Sequence, residues 1–315
     1  MLRTLLLILA SFAITQAQAQ AYPIKPIRML TAETGGGSDV AARILAPGLS
    51  AALGQQVVID NRSGGLTIAQ IAMSATPDGY TFFTYSNSLW MIPLMRDHTP
   101  YDPVRDFAPV SLIGGSPMVL AVHPSMAATS VKELIALAKA KPGELNYATG
   151  PSGAIPHLSG ELFKYMAGVQ LTQVPYRGVG AAVTDVVGGR VPIMFPNASA
   201  ALPHAKAGRL RLLAVTSAEP SAMTPGLPTL AQSGLPGYVC TALYATFAPL
   251  KTPPAIVKRI NQEMVTWLKR PDVRERFLAA SAEVYASTPE VLRTTMTDEI
   301  ARFGKVIKAA NIKLD

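Results

Sequence analysis

The stretch Leu30-Thr31-Ala32-Glu33-Thr34-Gly35-Gly36-Gly37-Ser38-Asp39-Val40-Ala41-Ala42-Arg43 decides how the chain reads. Pro26 to Leu30 supply a short extended run, three glycines make a turn, and a helix starts after them. A turn without Cβ atoms lets the backbone come close to a ligand. Ser38 or Asp39 is placed to cap the helix, whose first N–H groups have no internal acceptor. Free amides and the positive end of the helix dipole together form an anion site that needs no Lys or Arg. A tight, glycine-rich βα turn with no ligand fits the same letters. Two sharper phosphate motifs do not. Val40 stands where G-x-G-x-x-G requires its last glycine, and no Gly-Lys-Ser/Thr follows.

The same pattern recurs along the chain. Asp39 to Leu53 is a helix with Val40, Ile44, Leu45, Leu49 and Leu53 near one face, Pro47 as a kink or break, and Gly54 as its stop. Gln56 to Asp60 is a buried strand leading to the flexible Asn61-Arg62-Ser63-Gly64-Gly65, and Tyr80 to Tyr85 is a strand ending in Ser86-Asn87-Ser88. Further on, Leu145 to Ala148 runs into Thr149-Gly150-Pro151-Ser152-Gly153-Ala154 and a helix from Ile155. Gln170 to Tyr176 precedes Arg177-Gly178, and Val191 to Phe195 precedes Pro196-Asn197-Ala198-Ser199. Small or hydroxyl residues thus follow strand after strand, and in open α/β sheets ligands sit outside the carboxyl ends of the strands. Two such units are expected. The first covers residues 22–122 plus 249–315 and the second 123–248, with crossings near Val122 and within 238–248. Three helical stretches after Pro253 read as a packed cover.

With 315 residues, 49% hydrophobic and 15% charged, the chain is long and apolar enough for two cored domains and is not a disordered one. Its net charge of +8 is spread out, without basic runs, which suits solubility and mild anion attraction rather than nucleic-acid binding. Residues 1–21 read as a secretory leader: Arg3, an apolar core from Leu5 to Ile14, and small residues around Ala19 and Ala21. The mature protein is then exported. Cys240 is the single cysteine, so no internal disulfide forms. His98, His123, His157 and His204 offer no pair at metal-ligand spacing, and no metal or cofactor is expected.

Read in order, a set of short motifs resembles the periplasmic solute-binding receptors of tripartite tricarboxylate transporters, the Bug (TctC-like) family. They are Tyr22-Pro23-x-Lys25-Pro26-Ile27-Arg28, Gly36-Gly37-x-Asp39-x-x-Ala42-Arg43, Asn61-Arg62, Pro77-Asp78-Gly79-Tyr80-Thr81, His157-Leu158-x-x-Glu161-Leu162-Phe163, Val174-Pro175-Tyr176-Arg177-Gly178 and Leu213-Ala214-Val215-Thr216-Ser217. The resemblance runs from Tyr22 to Asp315. It implies an α/β, two-lobed periplasmic-binding-protein fold of type II-like form, each lobe a mostly parallel sheet flanked by helices. It also implies a monomer in the periplasm that holds a small carboxylate between the lobes, with membrane permease subunits or a sensor domain as partner.

On that reading the ligand contacts Gly36, Gly37 and Ser38 in the first lobe and Thr149, Ser152 and Gly153 in the second. Ser86, Asn87, Ser88, Tyr176, Arg177 and Asn197 line the rest, and His157 caps or packs at a helix start. The chain departs from the family where Glu33-Thr34 replaces a proline-containing approach, where the 61–65 loop is short, and where Pro192 and Pro196 replace two carboxylates. Without a carboxylate at Pro196, the expected ligand is an acid lacking an amine, aromatic or aliphatic. The competing reading is a secreted serine hydrolase. Gly150-Pro151-Ser152-Gly153-Ala154 lacks only the last glycine of G-x-S-x-G, and Asp185 and His204 follow in hydrolase order.

Overall fold

A computed structural model describes residues 22–32, 34–62, 64–150 and 152–314. The leader, Glu33, Ser63 and Pro151 lie outside the described residues. The first sheet contains β1 (Ile27–Thr31), β2 (Val57–Asn61), β3 (Thr81–Ser86), β4 (Phe107–Pro117), β10 (Thr241–Pro249) and β11 (Glu283–Val284), in the order β11-β4-β10-β3-β1-β2. The second contains β5 (Val119–Val122), β6 (Asn146–Thr149), β7 (Thr172–Pro175), β8 (Ile193–Met194) and β9 (Arg211–Val215), in the order β7-β6-β8-β5-β9.

Helices α1 (Gly37–Leu53), α2 (Gly65–Ser74) and α3 (Ser88–Met95) belong with the first sheet. So do the late helices α8 (Pro254–Leu268), α9 (Pro271–Ala279) and α10 (Pro289–Ala309). The second sheet carries α4 (Val131–Ala140), α5 (Ile155–Ala167), α6 (Val179–Val187) and α7 (Ala198–Lys206). This is the expected two-lobed α/β arrangement.

The sheets are mixed rather than mostly parallel. β1 pairs in parallel with β2 and β3, whereas β10 runs antiparallel to both β3 and β4. In the second sheet β6 is parallel to β7 and β8, and β5 is antiparallel to β8 and β9. The cause is the way the chain changes lobe. β4 and β5 are nearly continuous, so one extended run leaves the first sheet and enters the second at Met118. β10 brings the chain back. Residues 119–122 therefore lie in the second sheet and 241–248 in the first, so the outgoing crossing precedes the one expected near Val122 and the return falls at the start of the expected 238–248.

Thr216 ties the outgoing and returning strands together. Its hydroxyl accepts the Met118 N–H at 2.9 Å and donates to the Cys240 carbonyl at 2.5 Å, and its own carbonyl accepts the Cys240 N–H. One apolar core runs across this junction. It joins Leu30, Phe83 and Phe247 of the first sheet to Tyr147, Phe163 and Phe195 of the second lobe. Helix α10 packs on α3 in its own lobe and on α5 in the other.

Pro47 neither ends nor breaks α1, which continues to Leu53 and stops at Gly54 in the left-handed conformation. Near the proline the Trp267 indole N–H donates to the Ile44 carbonyl at 2.9 Å, adding a donor from α8 where the helix ladder is weakened.

Candidate functional site

The glycine turn after β1 is held from below. Gly36, in an extended conformation, is the N-cap of α1, and no side chain caps it. This corrects the expectation of a Ser38 or Asp39 cap: both are buried inside the first turn. Asp39 instead reaches back, and its carboxylate accepts the Gly35 N–H at 2.9 Å, the Arg43 guanidinium at 3.0 Å and the Asn61 amide at 2.7 Å. Asn61 also bonds the Ala32 carbonyl, and Arg43 bonds Asn61. Burial pushes the Asp39 carboxyl up, but the hydrogen bonds from Arg43, Asn61 and Gly35 outweigh it and hold it below the ordinary aspartate range. Gly35, at φ 85°, takes the left-handed turn. The first N–H groups of α1 are left with no helical acceptor.

A second helix start meets the first one. α7 begins after Asn197, whose carbonyl accepts the Ala200 and Ala201 N–H groups and whose side chain makes no capping bond. Gly35 and Gly37 on one lobe and Asn197 and Ser199 on the other line a single cavity of about 180 Å³. β4 and β10 form its floor through Ser116 and Tyr244. Among the described residues no charged side chain lines it. Its electrostatics therefore come from two helix ends, each with a partial positive charge and open amides.

Tyr244 is 8% exposed, and its phenol lies beside Gly37 at the cavity. A Cβ on Gly37 would overlap the phenol oxygen, so this glycine is required by close approach rather than by its dihedral angle. Burial raises the Tyr244 pKa above the ordinary tyrosine value, which keeps the phenol a neutral donor.

The other expected contact residues are placed differently. Ser86 and Ser88 are half-buried at the end of β3 and do not line the cavity. Asn87 is 1% exposed and fully used. Its amide donates to the Thr241 carbonyl and to Glu299, and its side-chain oxygen accepts the Leu243 N–H. It is a bracket between α3, β10 and α10, not a free ligand contact.

Thr149 is buried against Gly150 and Gln173, and Ser152 is exposed. The Gly153 N–H is already taken by His157 Nδ1 at 3.0 Å, and the glycine lies against Met95 and Leu314. Burial holds the His157 imidazole below its ordinary pKa, so Nδ1 is free to accept. His157 thus plays the structural role expected for it. Tyr176 donates to Asp185 at 2.8 Å, and Arg177 is exposed. Of the two expected gripping loops, the one at 35–38 reaches the cavity through Gly35 and Gly37, while Gly36 and Ser38 are not among its lining residues. Its counterpart there is the start of α7, not residues 149–153.

No hydrolase triad is assembled. Asp185 is engaged by Tyr176 and Arg190, and these bonds hold its carboxyl below the ordinary range. No hydrogen bond links Ser152, Asp185 and His204 among the described residues, and none of the three lines the cavity. Among the same residues no group of His, Cys, Asp and Glu forms a metal cluster, and no helix is long and apolar enough to cross a membrane.

Sequence reasoning missed Ser116, Ser199 and Tyr244. Asn197 followed by an alanine-rich run was the available signal for the α7 start. Pro203, inside that helix, obscured it. Tyr244 gave no local signal, because its role follows from β10 lying between β3 and β4.

Comparison with known proteins gives a consistent result. The family model for the tripartite tricarboxylate transporter family receptor, TctC, matches residues 41–312. BugT of Bordetella pertussis is 37% identical over 302 residues, covering 94% of this chain and 92% of that protein. Among solved structures, an R. palustris protein with adipate superposes at TM-score 0.75 with 35% identity, over 93% of this chain and 99% of that one. MatC from Rhodopseudomonas palustris with bound malate superposes at TM-score 0.71 with 28% identity, over 91% and 100%.

Proposed function

The chain belongs to the tripartite tricarboxylate transporter receptor family, and from that premise we propose that it captures a small carboxylate between its lobes in the periplasm and delivers it to membrane permease subunits. The observation that carries this reading is the pair of helix N-termini, one from each lobe, opening on one cavity that no charged side chain lines among the described residues. A carboxylate placed there accepts amide hydrogen bonds from both lobes. Its charge is balanced by two helix dipoles without a cation that would also attract inorganic ions. The adipate and malate held by two relatives are of this chemical class. Receptors of this family bind their ligands and do not convert them, so no catalytic step belongs to the reading.

The route into the periplasm rests on the leader at residues 1–21. Transfer to a permease rests on the family. Closure of two lobes around a ligand gives such a partner a shape to recognise.

The test is a thermal-shift screen of mono-, di- and hydroxycarboxylic acids on the purified mature chain. An acid present at 100 times its Kd stabilises the fold by ~2.7 kcal/mol. Gly37→Ala should abolish that stabilisation, because the new Cβ drives Tyr244 into the cavity. If no acid shifts the melting temperature, or if Gly37→Ala binds as the parent does, the reading fails.

A further inference from the structure

We propose that His157 is a positioning residue that latches the two lobes: its neutral imidazole holds Gly153 of the second lobe against Met95 and Leu314 of the first, and its protonation releases them. The inference goes beyond the receptor reading and does not depend on which acid is bound.

The latch begins as a helix cap. Ala154 is the N-cap of α5 and offers no side-chain acceptor. His157, three residues on, reaches back, and its Nδ1 accepts the Gly153 N–H at 3.0 Å. In a capping box Glu or Gln reaches back in this way and accepts throughout the neutral range. An imidazole accepts only while Nδ1 carries no proton. The neutral ring then has its proton on Nε2, which faces Glu161 Oε1 at 3.8 Å. A second proton turns Nδ1 into a donor aimed at another donor, and the bond to Gly153 is lost.

The glycine held in this way is an inter-lobe contact. A Cβ on Gly153 would come within 2.9 Å of Met95 Sδ and 3.1 Å of Leu314 Cδ2, so both side chains sit directly on it. Met95 ends α3 and Leu314 follows α10, both in the first lobe. The Leu314 N–H donates to the Met95 carbonyl at 2.8 Å, which joins them into one pad. Releasing Gly153 therefore frees a first-lobe segment as well as a second-lobe turn.

The surroundings set the direction of the switch. His157 is 4% exposed and stands in the first turn of α5, where the helix dipole disfavours an added positive charge. Burial holds the imidazole below its ordinary pKa, Glu161 pulls it up, and Lys164 pushes it down. Glu161 is itself engaged by the Lys164 ammonium at 2.8 Å and by the Tyr147 phenol from β6. Tyr238 and Cys240 meet α5 at Ser159 and Ile155. On α10, Glu299 is bound by Trp90 and Arg302. Arg96, Asp97, His98 and Lys313 share a cavity with Met95 and Leu314. A released imidazole titrates at about 6.5. The latch is therefore complete above that pH and is lost as pH falls toward the depressed value of the latched ring.

The test is amide exchange at Gly153 and Leu314 by NMR on the ligand-free mature chain from pH 7.5 to pH 5.5. Dividing by the open-chain exchange rate at each pH gives an opening constant for each amide. Both constants should rise together by about 3-fold or more across this range, with a ceiling of about 10-fold for one linked proton. In His157→Asn, which keeps an acceptor near Nδ1 but does not titrate, both should stay flat. His157→Gln serves the same purpose should the first variant fold poorly. His98→Asn should follow the parent. A flat Gly153 profile in the parent, or a rise that persists in the His157 variants or vanishes in His98→Asn, overturns the latch. A rise at Gly153 that Leu314 does not share confines the effect to the turn and overturns the inter-lobe role. Because no acid is added, each of these failures leaves the receptor reading standing.

Discussion

At Asp39 a single carboxylate fixes the shape of the anion turn. It is 1% exposed and accepts from a backbone amide, a guanidinium and a side-chain amide. Removing it as Asp39→Ala should cost ~1.5–3 kcal/mol in urea denaturation, the scale of a hydrogen bond to a charged group with its partners left behind. The pH dependence follows from the same bonds. The folded carboxyl lies below its ordinary value, so its contribution is complete above the unfolded aspartate pKa of about 4 and is lost as pH falls through the depressed folded value. Denaturation curves from pH 3 to pH 7 should therefore show an acid limb that is flatter in Asp39→Asn. This residue was legible as part of a Gly-Gly-x-Asp-x-x-Ala-Arg motif, and the glycines announced a turn. What the letters did not carry was direction: a possible cap turned out to face back under the loop. Tyr244 was illegible for a different reason. It meets Gly37 across more than two hundred residues of chain, and no local pattern encodes such a contact.

Among the elements, α1 and α7 present the same helix start to the cavity in differently readable forms. α1 was evident from its apolar periodicity despite Pro47. The helix survives because α8 packs on it tightly. A Cβ on Gly48 would enter the Trp267 ring, and the Trp267 indole donates to the Ile44 carbonyl. Trp267→Phe keeps most of the packing and removes the donor, so a loss of ~0.5–1.5 kcal/mol is expected by chemical denaturation. A neutral result would assign the tolerance of Pro47 to packing alone. α7 was hidden because it is short and carries Pro203, and local propensity is a weak guide where a packed face decides the outcome. Its buried Ala198 and Ala201, set against β5 and β8, supply that face. The loop at 149–153 shows the opposite error. It has the composition of an anion loop, yet its Gly153 amide is satisfied by His157. Composition identifies where backbone can be exposed, and hydrogen bonding decides whether it is.

For the whole molecule, the division into two α/β units was legible from repeated strand-turn-helix patterning, and the return at Cys240 lies inside the expected 238–248, whereas the outgoing crossing, expected near Val122, lies at Met118. Met118 to Val122 continues the apolar run of β4, and hydrophobicity alone cannot assign a strand to one sheet or the next. The junction is set by Thr216, whose buried hydroxyl and carbonyl hold Met118 and Cys240 side by side. Because one apolar cluster continues across this junction, the lobes should not unfold separately. Calorimetry of the mature chain should give one transition with equal calorimetric and van't Hoff enthalpies. Thr216→Val keeps the shape and strands the Met118 N–H, so it should lower the stability by ~1–3 kcal/mol while retaining a single transition. Two resolved transitions in the parent chain would mean that the shared core does not couple the lobes. A single transition that splits only in Thr216→Val would instead place the coupling in the hinge strands themselves.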